Sequence, residues 1–559
     1  MRTQLFVMTG IILMHLTSLH AGAQSQARMS AAEARTQEVA AAAAETELVR
    51  GRIPEFRAMA KSLLHTAPGN FLMGEFQLRN GRADSAAWYF REGLKLDANH
   101  WGCLTGLGHT LLPTAPAEAE ALFTQANSYR QNPALARTQA YIARAYLYLP
   151  VPAYEKVRSW LNTALATDNK EPATYLVGAE MYIRQKKGND ALTTYMAALD
   201  VAPGNIQALY GIAQVYFQGR LYERAIESLD LAFEADSLHL PTLRMSMEIH
   251  YRMQDYTRVI EDYQRLQSLG ECPVETKALY AAALFFDKRI DQALPVFDQV
   301  LGMNPENPSA LRLKAYAHQY RGEFSEGVST IEKFFASADS SQILDTDHIY
   351  HARLLLGTGN TLPAWEEYGK AMLRADTPDN SLVIFAEMMD SIHNRKLYET
   401  ADQWYRRSTD MGIRPTAAQH YYWAEDCYYA SYNRLLRGTP EDSARYRMWA
   451  NRCDSLGLVL SELSPGTYHG LFWQASAKAL LDPKYEVMEA RPLYEQLLTL
   501  ENLPNKPKLS AYKYLGSCAV LTNQTEMGLS YYEKYLEINP NDAEISGLAE
   551  SLRAHLTTP

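Results

Sequence analysis

Small and apolar residues recur along most of the chain every three or four positions, which is the period of an amphipathic helix. In one segment Ala179 and Tyr182 are followed, after a short break, by Ala191, Tyr195 and Ala198. Residues three or four apart share one face of a helix, so each segment predicts a helix with one buried side. Strict alternation of apolar and polar residues is not sustained long enough to indicate a sheet. The pattern predicts an all-α protein made of short helix pairs.

The helix pairs repeat with a period of about 34 residues, and proline follows the second helix at Pro203, Pro305 and Pro540. A clear copy near the end of the chain consists of Tyr512, Leu515, Gly516, Gly528, Tyr532, Tyr535 and Pro540. In length and spacing this pattern resembles the tetratricopeptide repeat. The resemblance implies an α-solenoid of helix-turn-helix repeats wound into a right-handed superhelix. It also favours a binding scaffold over an enzyme.

The resemblance extends over residues 67–545 and predicts about 13 units. Longer, irregular units are expected near residues 417–504. Residues 24–66 are rich in alanine and predict a helical N-terminal cap or leader, and residues 546–559 predict a C-terminal capping helix and tail. The C-terminal part is similar to exported tetratricopeptide proteins of the Bacteroidetes. A solenoid of this kind predicts one repeat array, because each repeat packs only on its neighbours.

The N-terminus has the features of a secretory signal peptide spanning residues 1–23. Arg2 gives a positive start, Leu5 to Leu19 is mostly apolar, and Ala21-Gly22-Ala23 is a small-residue cleavage site. The alternative is an uncleaved anchor, for which the apolar run is short. No later segment is expected to span a membrane. We therefore expect export to the periplasm or the periplasmic face of the outer membrane.

Charge and motifs narrow the function further. The formal net charge of −10 argues against a nucleic-acid partner, which would need clustered lysine and arginine. The motifs HExxH, GxSxG and GxxxxGK do not occur, so we expect no enzyme activity and no cofactor. His348 and His351 lie three apart on a predicted helix, but no third ligand is near in sequence. We expect packing or solvated histidines there and no metal site.

The five cysteines lack metal-binding spacing. Cys427 and Cys453 fall nearly level on consecutive predicted helices, so an exported protein could join them by a disulfide. The alternative is that both are small buried packing residues.

The resemblance also implies a concave groove lined by the first helix of each repeat. The inward positions of the family correspond here to residue types that dominate binding hot spots. They are Tyr210, Gln214, Phe217, Arg244, Glu248, Tyr251, Arg252, Phe285, Phe286, Arg312, Tyr316, Tyr320 and Arg353. The alternative is that some of these aromatic residues pack between repeats. Such a groove suits an extended peptide or a helix of a partner protein.

Together these features predict a non-enzymatic, exported scaffold that mediates protein–protein interactions in the cell envelope through its groove. The alternative is a carbohydrate- or peptidoglycan-binding helical-repeat protein, because aromatic faces also stack on sugars. No paired carboxylates indicate a glycan-cleaving acid and base. The repeat predicts that a protein or peptide is bound without identifying it.

Overall fold

A computed structural model describes residues 35–129, 132–270 and 272–557. All regular elements within these ranges are helices, which confirms the predicted all-α fold. The predicted signal peptide lies outside the described residues. The helices divide into two compact units, which meet in sequence at Pro305 and Glu306.

The first unit consists of two N-terminal helices followed by helix pairs. They are α1 (35–49), α2 (Ile53–Ser62), α3 (Ala67–Arg79), α4 (Ala83–Leu96), α5 (Trp101–Leu111), α6 (Pro116–Ser128), α7 (Leu135–Leu147), α8 (Tyr154–Thr167), α9 (Pro172–Arg184), α10 (Gly188–Val201), α11 (Ile206–Gln218), α12 (Tyr222–Ala235), α13 (Leu240–Arg252), α14 (Tyr256–Ser268), α15 (Val274–Phe286) and α16 (Ile290–Met303).

The second unit continues with helix pairs and ends on a single helix. Its helices are α17 (Pro308–Arg321), α18 (Phe324–Ser337), α19 (Asp345–Gly357), α20 (Thr361–Arg374), α21 (Pro378–His393), α22 (Tyr398–Asp410), α23 (Ala417–Arg437), α24 (Pro440–Leu463), α25 (His469–Leu481), α26 (Arg491–Leu497), α27 (Asn505–Leu521), α28 (Thr525–Ile538) and α29 (Ala543–Thr557).

Small residues let neighbouring helices approach closely, as the repeat pattern predicts. A Cβ atom at Gly74 would lie 2.3 Å from the Phe90 ring, and one at Gly211 would lie 2.4 Å from the Tyr195 ring. Neither distance leaves room for a side chain, so glycine allows the aromatic ring to fill the space between the helices. The Gly211 contact also brings the Tyr195 ring to the side of α11 that lines the cavity described below.

The turn between α10 and α11 shows how a repeat boundary is encoded. Pro203 ends the preceding helix, and Gly204 adopts a φ of +80°, a left-handed conformation that glycine tolerates best. Asn205 then caps α11, because its side-chain oxygen accepts a hydrogen bond of 3.0 Å from the backbone N–H of Ala208. These residues fix where α11 begins and therefore which of its side chains line the cavity.

The second unit contains the irregular segment. Helices α23 and α24 are 21 and 24 residues long, well beyond the length of the other paired helices of this unit. After α25, the carboxylate of Asp482 accepts hydrogen bonds of 2.7–2.9 Å from the backbone N–H groups of Glu486, Val487 and Met488. This closes a loop ahead of the short helix α26, within the irregular units predicted near residues 417–504.

The cysteine pair considered above is not bonded. Cys427 on α23 and Cys453 on α24 are fully buried free thiols, as are the other described cysteines. Burial raises the pKa of both thiols well above its ordinary value, which makes them poorly reactive. Both belong to the apolar core of the second unit around Trp473, so they act as packing residues.

Candidate functional site

One position of the repeat's first helix carries a polar residue in five successive pairs of the first unit. These residues lie 34–36 positions apart on α3, α5, α7, α9 and α11, and they are named the polar ladder: Glu75, His109, Arg144, Glu180 and Gln214. Each lies within a largely buried helix. Polar groups at such positions are costly unless they are paired or line a space.

The polar ladder lines a cavity of about 680 Å³. Tyrosines supply further walls, namely Tyr141, Tyr148, Tyr195 and Tyr210. Apolar surface comes from Leu176 and Val177 on α9. A volume of this size falls within the range of roughly 300–1,000 Å³ that ligand sites occupy. It admits a short peptide segment or side chain and excludes a folded domain.

The N-terminal turn 49–52 closes one side of the cavity and is named the latch. The Arg50 guanidinium donates to the Asp236 carboxylate at 2.8 Å, and the backbone N–H of Leu240 donates to the Arg50 carbonyl at 3.0 Å. Gly51 has a φ of +75°, and a Cβ there would lie 3.3 Å from Pro241. The latch therefore holds the turn that follows α1 against Asp236 and the first residues of α13.

Two ladder residues neutralise each other. The Arg144 guanidinium donates to both carboxylate oxygens of Glu75, at 2.6 and 2.7 Å. Glu75 is only 3% exposed; its burial opposes ionisation, but the charges of Arg144 and Arg79 outweigh this and lower the pKa of Glu75. The Arg144 guanidinium also lies 4.1 Å above the Tyr141 ring. The pair leaves the Nε of Arg144 buried without a hydrogen-bond partner.

Glu180 is the ladder carboxylate without an ion pair to any described residue. Its side chain accepts one long hydrogen bond, 3.4 Å, from the Tyr148 hydroxyl. Burial raises the pKa of Glu180, although the nearby charges of Arg144 and Arg79 lower it in part. On the far side, the Arg184 guanidinium covers the Tyr148 ring at 4.1 Å. Glu180 is therefore a desolvated carboxylate whose charge is incompletely compensated.

Two histidines of the cavity are neutral near pH 7. Burial lowers the pKa of His109 to about 4, and the charge of Arg144 adds to this effect. Burial also lowers the pKa of His239 to about 4, and its Nδ1 lies 2.7 Å from the Thr242 hydroxyl. These rings supply hydrogen-bonding groups to the wall and no positive charge.

Of the predicted groove residues in the first unit, Tyr210 and Gln214 line the cavity. Further along, the Arg252 guanidinium lies 5.3 Å from the Phe217 ring and pairs with Glu248 at 2.9 Å. The half-buried Arg244 has its Nε buried without a hydrogen-bond partner.

The aromatic residues predicted on α13 and α15 differ in their exposure to solvent. Tyr251 packs edge-on against Tyr256 and Phe286, and Phe286 remains 38% exposed. Phe285 was predicted as a groove residue and is instead 4% exposed, within the core. The adjacent positions of one helix point to different sides, so only one of the two phenylalanines can face outward.

The predicted residues of the second unit are held by internal partners. Arg312 donates to both carboxylate oxygens of Asp347, at 2.7 and 2.9 Å, and the Tyr316 hydroxyl donates to the same carboxylate at 2.6 Å. Tyr316 also stacks on Tyr350 at 3.6 Å and is 6% exposed, so its predicted place in a groove is corrected to the core. The carboxylate on the following repeat explains the burial, because it satisfies the hydroxyl there.

Arg353 and Tyr320 complete the predicted set. Arg353 makes two hydrogen bonds of 2.8 Å to the two carboxylate oxygens of Glu387 on α21. Tyr320 is 51% exposed and accepts a hydrogen bond of 3.3 Å from the Tyr350 hydroxyl. Tyr320 is thus the exposed aromatic residue of this group, while Arg353 is engaged within the unit.

The histidine pair on α19 meets a carboxylate from the next helix. Glu367 lies 2.6 Å from the Nδ1 of His348 and 3.3 Å from that of His351, and Lys370 donates to it at 2.5 Å. Glu367 was not predicted as a partner of this pair, because it lies on the next helix. Across the described residues, no group of His, Cys, Asp or Glu could hold a metal ion. The cluster is a buried network that packs α19 against α20.

The sequence reasoning missed four ladder residues: Glu75, His109, Arg144 and Glu180. Their signal was available as single polar residues at one repeat position in otherwise apolar helices. The predicted groove residues begin at Tyr210, so the inward positions of the repeats before it were not assigned.

Comparison with known proteins shows similarity to repeat proteins over parts of the chain. The family model described as "Tetratricopeptide repeat" matches residues 179–238. The chain is 23% identical over 180 residues to DnaJ homolog subfamily C member 3 of Gallus gallus, covering 29% of this chain and 36% of that protein. The human protein of the same name is 24% identical over 170 residues, covering 28% and 34%. The chain thus spans about a third of the length of these curated relatives.

Solved structures of repeat proteins are also similar. The C-terminal part of a TPR repeat-containing protein from Cytophaga hutchinsonii is 19% identical, covering 48% of this chain and 98% of that one, with a TM-score of 0.35. A tetratricopeptide repeat protein from Parabacteroides merdae is 16% identical, covering 46% and 98%, with a TM-score of 0.31. Among the described residues, no helix combines the length and apolar character needed to cross a membrane.

Proposed function

We propose that the chain, in which residues 179–238 match the tetratricopeptide repeat model and the described regular elements are helices, is a non-enzymatic scaffold that binds a segment of a partner protein in the cavity of its first unit. The tetratricopeptide fold implies a protein-interaction scaffold. The observation that carries the proposal is the polar ladder, which lines one cavity with side chains from five successive repeats.

The lining of the cavity suits a polypeptide segment. Tyr148, Tyr195 and Tyr210 offer large contact area together with hydroxyl groups, a combination enriched where proteins bind one another. Gln214 and the neutral His109 can exchange hydrogen bonds with backbone amides. A partner in extended conformation would expose such amides along its length.

We further propose that the protein acts in the cell envelope. This rests on the N-terminal sequence, with Arg2, the apolar run Leu5 to Leu19 and the small residues Ala21 to Ala23. N-terminal sequencing of the protein from fractionated cells tests it. Cleavage after Ala23 and recovery from the periplasmic or outer-membrane fraction are expected. An intact N-terminus in the cytosolic fraction would contradict this part of the proposal.

Site-specific photo-crosslinking in the native cell tests the binding proposal. A photoreactive phenylalanine at Gln214 would probe the cavity, and the same group at the exposed Glu227 of α12 is the matched control. A discrete protein partner crosslinked from Gln214 but not from Glu227 is expected. Equal crosslinking at both positions would count against the cavity as the binding site. Crosslinking of peptidoglycan or another glycan from Gln214 would favour the carbohydrate alternative instead.

A further inference from the structure

Given the proposed binding of a partner segment, we propose that the cavity recognises a lysine or arginine side chain of that segment, and that Glu180 is the residue that pairs with it. The proposal deepens the proposed function, since it names the chemistry of the recognised group. It follows from the charges that line the cavity and from which of them are already paired.

The charged residues that line the cavity differ in whether they have an ion-pair partner. Two carboxylates and two guanidinium groups line the cavity: Glu75, Glu180, Arg79 and Arg144. Glu75 and Arg144 form a pair with two hydrogen bonds of 2.6 and 2.7 Å. Arg79 is an exposed residue at the end of α3. The half-buried charge of the cavity that remains without an ion pair among the described residues is therefore the Glu180 carboxylate.

The surroundings of Glu180 favour a cation. Its described hydrogen bond is the 3.4 Å contact from Tyr148, which is long for a hydroxyl donor. A carboxylate removed from water gains more from a charged donor than an exposed one does, because screening is weaker there. The raised pKa of Glu180 agrees with this shortage of compensation. A lysine ammonium or an arginine guanidinium would supply the missing donor and charge.

The same surroundings disfavour an anion. A carboxylate or phosphate beside Glu180 would be repelled, and the cavity histidines His109 and His239 are neutral near pH 7. Arg79 and Arg184, which form no ion pair with a described residue, are exposed, so water and salt screen their charge. They can contact the backbone carbonyl groups of a bound segment at the entrance.

The test uses the full chain and synthetic hexapeptides with acetylated and amidated ends. A pool with one central arginine or lysine is compared with matched pools in which that residue is glutamine or glutamate. Binding is measured by fluorescence anisotropy to the wild-type protein, to Glu180→Gln and to the control Glu227→Gln. Glu180→Gln keeps the size of the side chain and removes its charge. Circular dichroism confirms that all three proteins are folded.

We expect basic peptides to bind the wild type and Glu227→Gln alike, and to bind Glu180→Gln at least about tenfold more weakly. Glutamine and glutamate peptides should bind more weakly than basic ones to the wild type. Equal affinity of Glu180→Gln and wild type for basic peptides, or a preference for glutamate peptides, would overturn the inference. If basic peptides do not bind while crosslinking from Gln214 still captures a partner, the inference fails and the proposed function stands.

Discussion

The cavity of the first unit and the arginines Arg312 and Arg353 of the second unit show the same residue types in two different settings. In the second unit, the arginines Arg312 and Arg353 each make two hydrogen bonds to a carboxylate of a following repeat. In the first unit, Arg144 also makes two hydrogen bonds to Glu75, but its Nε is buried without a partner, and Glu180 has no ion pair to any described residue. Of these two regions, only the cavity of the first unit leaves a carboxylate without an ion pair among the described residues, and this charge is available to a ligand.

The difference shows that residue type does not separate binding from packing in a repeat protein. Arginine and tyrosine at inward positions resemble hot-spot residues in sequence. In the second unit, however, Asp347 accepts hydrogen bonds from both Arg312 and Tyr316 and holds them within the unit. A residue of this kind becomes a binding candidate only when its partner is missing and a cavity lies beside it.

The largest expected effect concerns Asp426, a buried carboxylate of the second unit that lines no described cavity. One of its oxygens lies 2.9 Å from the Nδ1 of His393, and its other oxygen is buried without a partner. Burial raises the pKa of Asp426 to about 7, although His393 lowers it in part, and Glu425 adds a like charge nearby. A raised carboxylate pKa stabilises the fold below the unfolded value near 4, and this stabilisation is lost as pH rises through about 7.

In the wild type, ionisation of Asp426 should lower the free energy of unfolding by about 4 kcal/mol between pH 4 and pH 8. Asp426→Asn should remove this pH dependence. Urea unfolding of wild type and variant across this range measures it, with the exposed Asp410→Asn as control. Peptide binding by the first unit should not change. A pH dependence as steep in Asp426→Asn as in the control would contradict the assignment.

The next effect is expected at Asp347, which is fully buried and accepts hydrogen bonds from Arg312, Tyr316 and the backbone N–H of Leu344. Asp347→Ala leaves a partly buried guanidinium without its carboxylate, which should cost about 3 kcal/mol of unfolding free energy. Chemical denaturation measures this, with the exposed Glu332→Ala as control. Loss of partner binding with unchanged stability would instead make this cluster part of a binding site.

At Glu180 the expected effect is on binding, at about 1.4 kcal/mol for a tenfold loss in Glu180→Gln. The raised pKa of Glu180 also predicts a pH effect, since a protonated carboxyl no longer attracts a basic side chain. Affinity for basic peptides should fall as pH is lowered from 7 to about 4, with Arg79, Arg144 and Arg184 remaining charged throughout. An affinity that is constant over this range would argue against Glu180 as the pairing group.

The smallest effect is expected at the latch. Arg50 and Asp236 are partly exposed, so Arg50→Ala should cost about 0.5–1 kcal/mol at most. Hydrogen exchange in residues 35–52 should nevertheless become faster, because the latch is held there by few hydrogen bonds. Arg35→Ala, at the start of α1, is the control. Equal exchange in the two variants would show that the latch is fixed by other contacts.

The fold could be predicted from the sequence because the repeat depends on contacts between helices that are close along the chain. Gly211 and Tyr195 had to be small and large for their helices to cross, and that requirement recurs every 34 residues or so. The candidate site was predicted in part, through Tyr210 and Gln214. The other ladder residues were not predicted, although each is a single polar residue at one repeat position. The latch depends on distant partners, since Arg50 meets Asp236 across 186 positions, a contact that no local pattern encodes.

Hydrogen exchange with and without a bound basic hexapeptide tests the central comparison most directly. We predict slower exchange in α9 and α11, which carry Glu180 and Gln214, and unchanged exchange in α17 and α19, which carry Arg312 and Arg353. Slower exchange confined to α17 and α19 would contradict the account, because it would place binding at the residues whose charges are already paired.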